Sequence, residues 1–265
     1  MLHNIYKGEI FMKKHILKIL SISFLFGLIS STAYATSENC QNIETSAQIQ
    51  MKKETQKKMN DYYKKYKNQL IDLDDFDKLS KSKQNKIEQS FGESDKNSNA
   101  CISRSKPTGF RFDWSGFRDG NMIFVRKGWS PIGYWSHTGT YSQYRGRFLT
   151  AEPENKGYGS GVIYEPREFY TRTYNEAVGI SIRISSHSER LKPMMNWLHQ
   201  FVGKPYSIVR GKKSLYENNY WYCSLIPWKG YAKFFGMDID ADRGPKVAPD
   251  DIVNFPLSHY IAKSK

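Results

Sequence analysis

Hydrophobic positions along this chain change their spacing at definable points, and the changes divide it into three stretches. The first is an apolar-rich run from Ile16 to Ile29, preceded by Lys13 and Lys14 and followed by Ser30-Ser31-Thr32-Ala33-Tyr34-Ala35. A basic start, an apolar middle and an Ala-x-Ala end are the parts of a cleaved export signal. The run is short for a bilayer span. Translation from Met12 and cleavage after Ala35 are therefore expected, giving a secreted or periplasmic protein; retention of the same stretch as an N-terminal anchor is the alternative.

The second stretch, residues 36–106, is rich in Lys, Asn, Gln and Asp. Helix-forming composition centres on Ser46–Leu70 and Phe76–Phe91, with few apolar positions to build a core. This predicts a helical arm or spacer. Asp72, Asp74, Asp75 and Asp77 lack the central Gly and terminal Glu of a calcium loop, so they predict a helix start or a solvated face.

The third stretch, residues 107–265, turns to aromatic, alternating segments punctuated by Gly and Pro. It predicts strands at Asn121–Arg126, Ser136–Tyr141, Arg147–Ala151, Gly161–Tyr164 and Gly179–Ile184. Gly157-Tyr158-Gly159-Ser160-Gly161 precedes no Lys-Ser/Thr and opens no helix, so it predicts a hairpin loop and not a phosphate cradle. A helix is predicted from near Pro193 to Gly203, with Met194, Met195, Leu198, Phe201 and Val202 at helical spacing. Another runs from about Cys223 to Phe235, buries Ile226, Trp228, Tyr231, Ala232 and Phe235, and stops at Gly236. Pro227 is tolerable there because it falls in the first turn.

Charge sharpens this division. Residues 36–101 carry twelve Lys against eleven acids, whereas residues 102–265 carry twenty-four Lys and Arg against fourteen acids, an excess of +10. In an exported protein that excess points to an anionic cell-envelope surface as partner, with no nucleic acid expected. Three cysteines leave one over. Cys40 and Cys101 bracket the arm, and a bridge between them would stabilise the fold by about 4 kcal/mol through loop closure. Cys223 is then the odd thiol.

Candidate chemistry gathers on two segments. Ser136-His137-Thr138-Gly139 heads a strand, and Tyr222-Cys223-Ser224 opens an apolar helix. A thiol at a helix start is biased toward thiolate, and an imidazole nearby can take its proton. Glu152 ends the strand next to that of His137 and can orient the ring. Glu154 and Glu165 are rivals with a lesser claim, Glu165 because it precedes Pro166 in a turn-like setting. The oxyanion would meet the Cys223 N–H, with Tyr206 or Tyr222 as a second donor. His187, His199 and His259 have no Cys or acid at ligand spacing, so no metal is expected. No cofactor is expected either.

The order Asp119-Gly120-Asn121-Met122-Ile123-Phe124, Ser136-His137-Thr138-Gly139, Phe148-Leu149-Thr150-Ala151-Glu152, Gly161-Val162, Gly203-Lys204-Pro205-Tyr206, Tyr222-Cys223-Ser224 with Trp228 and Lys229, and Val247-Ala248-Pro249 resembles the YiiX/YebB-like permuted papain-fold cysteine hydrolases of the NlpC superfamily. The resemblance covers roughly residues 107–257. It implies an α+β, circularly permuted papain-like fold, in which an antiparallel sheet carrying the base precedes the helix carrying the nucleophile. It also implies the catalytic set Cys223, His137 and Glu152. Asn121 stands where Asp is common in that family, and Leu225 where Glu often follows the Cys-Ser pair; both bear on substrate contacts.

Three function classes stay open. One is an exported cysteine hydrolase cleaving an amide, in a peptidoglycan stem peptide or an N-acyl amide, through an acyl-thioester. Another is a lipid-directed acyltransferase or thiol lipase, since aromatic residues such as Trp129, Tyr134, Trp135, Trp221 and Tyr222 would suit an acyl chain. The third is an inactive envelope-binding module. Tyr206, Tyr222 and Trp135 are the expected substrate contacts.

Overall fold

The computed structural model describes residues 44–96, 109–155, 159–184 and 188–265. Cys40, Cys101, His187 and the expected export signal lie outside them. Strand β1 (Met122–Arg126) is flanked by antiparallel β2 (His137–Ser142) and β5 (Glu176–Ile182). With β3 (Arg147–Asn155), β4 (Gly159–Pro166) and β6 (Ser258–Lys263), these form an antiparallel sheet in the order β4-β3-β2-β1-β5-β6. The fold is mixed α+β.

Alternation along β1 explains the two cores. Met122 and Phe124 point into a large apolar cluster, and Ile123 and Val125 into a smaller one on the other face, because successive strand side chains face opposite sides. The smaller cluster holds Phe110, Phe117, Phe148, Tyr170 and Tyr174, so helix α3 (Arg167–Thr173) covers that side. Helices α4 (Leu191–His199) and α5 (Leu225–Phe235) bring Met194, Leu198, Leu225, Ile226 and Tyr231 to the larger cluster. Helix α6 (Pro249–Asn254) adds Ile252 and Val253.

The predicted strands and helices of this region are all present with shifted ends. Cys223 and Ser224 sit in the turn ahead of α5, and Pro227 occupies its first turn. Glycines 159 and 161 stand in β4 after a hairpin whose first pair is Asn155 with Gly159. The sequence reading did not foresee β6, α3 or α6. They are short, and β6 is an edge strand whose buried positions are Ser258, Tyr260 and Ala262, too weak an apolar signal to stand out.

The described arm is helical, as its composition predicts, yet it is no detached spacer. Helix α1 (Ser46–Tyr66) opens with a capping box between Thr45 and Gln48. A 3-10 turn follows at Leu73–Lys78, begun by Asp72, whose Oδ1 accepts from the Asp74 N–H at 3.0 Å. Helix α2 then spans Lys81–Lys96. Met59, Tyr62, Leu73, Phe76 and Ile87 belong to the same large cluster as the sheet. Helix α1 packs on β6, where Lys263 pairs with Glu54, and so covers an edge that would otherwise offer unpaired backbone groups. The arm's few apolar residues suffice because they complete a core built mostly by other segments.

Candidate active site

His137 is placed by the turn before it. Asp250, at the start of α6, accepts from Tyr134 N–H at 2.6 Å through Oδ2 and from Trp135 N–H at 2.8 Å through Oδ1, while Tyr63 Oη donates to Oδ2 at 2.6 Å. Gly133 is required there: its φ is +149°, and a Cβ would lie 2.7 Å from Asp250 Oδ2. Burial pushes the Asp250 carboxyl up to about 6, against the pull of these three donors. Asp250 thus fixes the entry to β2, and nothing in the sequence singled it out.

The imidazole lies beside a pair of tyrosines whose own ring centroids are 6.2 Å apart. Its ring is nearly parallel to those of Tyr170 and Tyr174, with centroids 6.0 and 5.9 Å away. Gly139 makes room for this, since a Cβ there would meet the Tyr170 hydroxyl at 2.2 Å. Three oxygens face His137 Nε2: Glu152 Oε1 at 3.0 Å, Thr150 Oγ1 at 3.2 Å and Glu165 Oε2 at 3.5 Å. The Thr150 hydroxyl donates its proton to Thr138 O at 2.8 Å, so it meets Nε2 as an acceptor. All three oxygens therefore favour a proton on Nε2 and leave Nδ1 for another partner.

The Cys223 thiol is close enough to interact with the His137 ring and helps to favour its charged form. Cys223 is the free cysteine of the described residues and is partly exposed. Burial opposes the imidazolium, but the Glu152 carboxylate, Tyr174 and Cys223 outweigh it, and the His137 pKa is raised well above its ordinary value. The turn before α5 thus delivers a thiol to a base already oriented by acids on the neighbouring hairpin.

The structure gives the other sequence-predicted residues different places. Tyr206 is half-buried with its phenol desolvated and close enough to feel the charges of Cys223, Glu152 and His137, and its pKa is raised well above the ordinary value. Tyr222 and Trp135, expected as substrate contacts, belong to the core, each 1% exposed. The Tyr222 hydroxyl accepts from Val247 N–H at 3.1 Å. Glu165, given a lesser claim by the sequence because Pro166 follows it, is fully buried in β4 and faces the imidazole. Its signal was its register: it pairs with Phe148, two residues before Thr150 and four before Glu152 on the same side of β3. The Glu154 side chain lies outside the described set.

Two groups among the described residues could hold a cation. His137, Glu152 and Glu165 offer ligand atoms within 4.8 Å of one another, as do Asp240, Asp242 and Asp251. In the second group, Lys213 Nζ lies 2.6 Å from Asp240 Oδ2 and 3.0 Å from Gly244 O, an internal cation for that loop. His199 and His259 are occupied by neighbours, His199 by Arg145 at 2.8 Å and His259 by Gln48 at 2.8 Å.

No family model matches the chain, and no curated protein does either. Among solved structures, the crystal structure of metalloprotein yiiX from Escherichia coli O157:H7, DUF1105, is similar with a TM-score of 0.39 and 17% identity, covering 60% of this chain and 98% of that one.

Proposed function

We propose that the protein is an exported cysteine hydrolase that cleaves an amide bond through Cys223, His137 and Glu152. One observation carries this reading: a single buried imidazole lies 3.0 Å from Glu152 Oε1 through Nε2, and the Cys223 thiol is close enough to interact with the same ring. The chain order, base-bearing strands before the nucleophile turn, supports the reading of a permuted papain-like arrangement.

In the proposed reaction, His137 Nδ1 takes the thiol proton and the thiolate adds to the amide carbonyl, giving a tetrahedral oxyanion. The imidazolium, held by Glu152, returns that proton to the leaving nitrogen as the C–N bond breaks. An amine departs and an acyl-thioester remains on Cys223. His137 then deprotonates a water that attacks the thioester, and the acid leaves as the thiol is restored. The Tyr206 phenol, desolvated and near Cys223 and His137, would donate to the oxyanion beside the Cys223 N–H. The export signal read in residues 1–35 supports export, and the +10 excess of residues 102–265 supports an anionic envelope partner. The test is incubation with purified muropeptides, N-acyl amides and phospholipids, followed by mass spectrometry, with Cys223→Ala as control. Amide cleavage that disappears in the variant supports the reading; acyl loss from phospholipid alone replaces it with the acyltransferase class.

The grouping of His137, Glu152 and Glu165 favours a second reading, a site for a divalent cation. One imidazole and two carboxylates are a suitable donor set. Stoichiometric metal in the purified protein, with His137→Ala abolishing it, would establish that reading over the first.

A further inference from the structure

Between Tyr206 and Cys223 the chain makes a detour through residues 207–220. Its base is closed, because Ser207 N–H donates to Trp221 O at 2.9 Å and Trp221 N–H to Pro205 O at 3.0 Å. Two buried ammonium groups then brace the loop from beneath. Lys246, 1% exposed, donates to Ile208 O at 2.8 Å, Val209 O at 3.1 Å and Gly211 O at 2.8 Å. Lys229, 0% exposed, donates to Glu217 O and to Asn218 Oδ1 at 3.0 Å, and its Nζ lies 4.4 Å from the centre of the Trp221 ring. Burying an ammonium is costly unless carbonyls meet it. Here the loop supplies the carbonyls twice, so its shape is held at both rims.

The outer face of this braced loop forms a groove of ≈ 350 Å³ lined by Val209, Arg210, Lys212, Glu217, Asn219 and Tyr220. That volume suits a small ligand group. Arg210 Nη1 donates to Tyr220 Oη at 2.8 Å and its guanidinium lies 5.1 Å from the Tyr220 ring centre. The guanidinium is thereby oriented with further N–H groups to spare. Arg210 and Lys212 against Glu217 leave one net positive charge, which matches a monoanion. Two coplanar carboxylate oxygens fit the guanidinium fork. Tyr220 precedes Cys223 by three residues, so at most about 11 Å of extended chain separates their Cα atoms.

We propose that this groove is a subsite for a free carboxylate on the substrate that Cys223 attacks, as in a peptide or N-acyl amino acid. The proposal rests on the reading of Cys223 as nucleophile. The full chain is compared with its Arg210→Gln/Lys212→Gln variant, both positions being exposed and outside the catalytic set. N-acetyl-Ala-Ala, its C-terminal amide, and phosphatidylglycerol vesicles serve as probes, with affinity read from amide chemical shifts or co-sedimentation. The acid should bind wild type about tenfold more tightly than the amide, a charge-assisted hydrogen bond's worth, and the variant should lose that advantage. Alkylation of Cys223 by iodoacetamide should be unchanged in the variant. Equal binding of acid and amide, or an advantage that survives the substitutions, overturns the proposal. So does vesicle binding lost in the variant without any acid preference, which would give the groove to a lipid headgroup. Acid preference together with an unreactive Cys223 upholds the groove and overturns the hydrolase reading instead.

Discussion

Replacing Glu152 by Gln isolates what the carboxylate does to the base. At an effective dielectric near 20, a carboxylate oxygen 3.0 Å from an imidazolium nitrogen attracts it by about 5.5 kcal/mol, and one at 3.5 Å by about 4.7 kcal/mol. Burial of His137 opposes both, and a glutamine still offers an acceptor, so the net loss is nearer that of one charge-assisted hydrogen bond, about 1.5–3 kcal/mol. That corresponds to roughly a 10- to 150-fold loss in any rate that needs the imidazolium. Glu165→Gln should act in the same direction and less strongly, by about the 0.8 kcal/mol that separates the two attractions, roughly fourfold. No substrate is needed to test this. The His137 ring can be titrated by carbon-13 NMR, and Cys223 alkylation by iodoacetamide followed by intact mass across the same pH range. His137 has its folded pKa raised, so its contribution to stability is full below the unfolded value and disappears as pH rises through the folded one. In Glu152→Gln that disappearance should move to lower pH, with the protonated ring confined to more acidic solution. A His137 titration unmoved by Glu152→Gln, or moved further by Glu165→Gln, would refute the assignment of Glu152 as the orienting acid.

His137→Ala and Cys223→Ala should each abolish amide turnover, and the double variant should be no slower than either single one, because the groups act as a unit; mass spectrometry of the substrate mixture reads the outcome, and full activity in His137→Ala would sink the mechanism. Phe76→Ala removes a fully buried ring from the shared core and should destabilise the protein by about 3–5 kcal/mol in urea unfolding, and a chain beginning near Ser103 should be less stable still; an unchanged unfolding midpoint in either would mean that the arm folds apart from the sheet. Asp250→Asn turns one amide hydrogen face toward a backbone N–H now met by carboxylate oxygen, so a loss of about 1–3 kcal/mol is expected by thermal or urea unfolding. The wild-type Asp250 carboxyl, raised from 3.8 to about 6, binds protons more readily folded than unfolded, so its contribution to stability falls as pH rises through that window; Asp250→Asn should lack this component, and an identical stability-versus-pH profile would contradict it.

The sequence by itself determined the elements whose signal is local. The alternation in β1 and β2, the apolar stripes of α4 and α5, and the stop at Gly236 are properties of neighbouring residues, and they put His137 at a strand start and Cys223 just ahead of a helix. Tertiary structure decided what depends on residues far apart in the chain. Glu165 joined the site because strand register carries it to the His137 side of the hairpin, whereas a following proline had argued for a turn. Tyr222 and Trp135 went to the core because aromatic composition does not say which face of a segment is covered. Asp250 became the anchor of the His137 turn across more than a hundred residues, and the arm's thin apolar stripe became core because the sheet and helices supply the other half. A sequence reports each residue's own preference, whereas burial and pairing belong to the partners that the folded chain brings together.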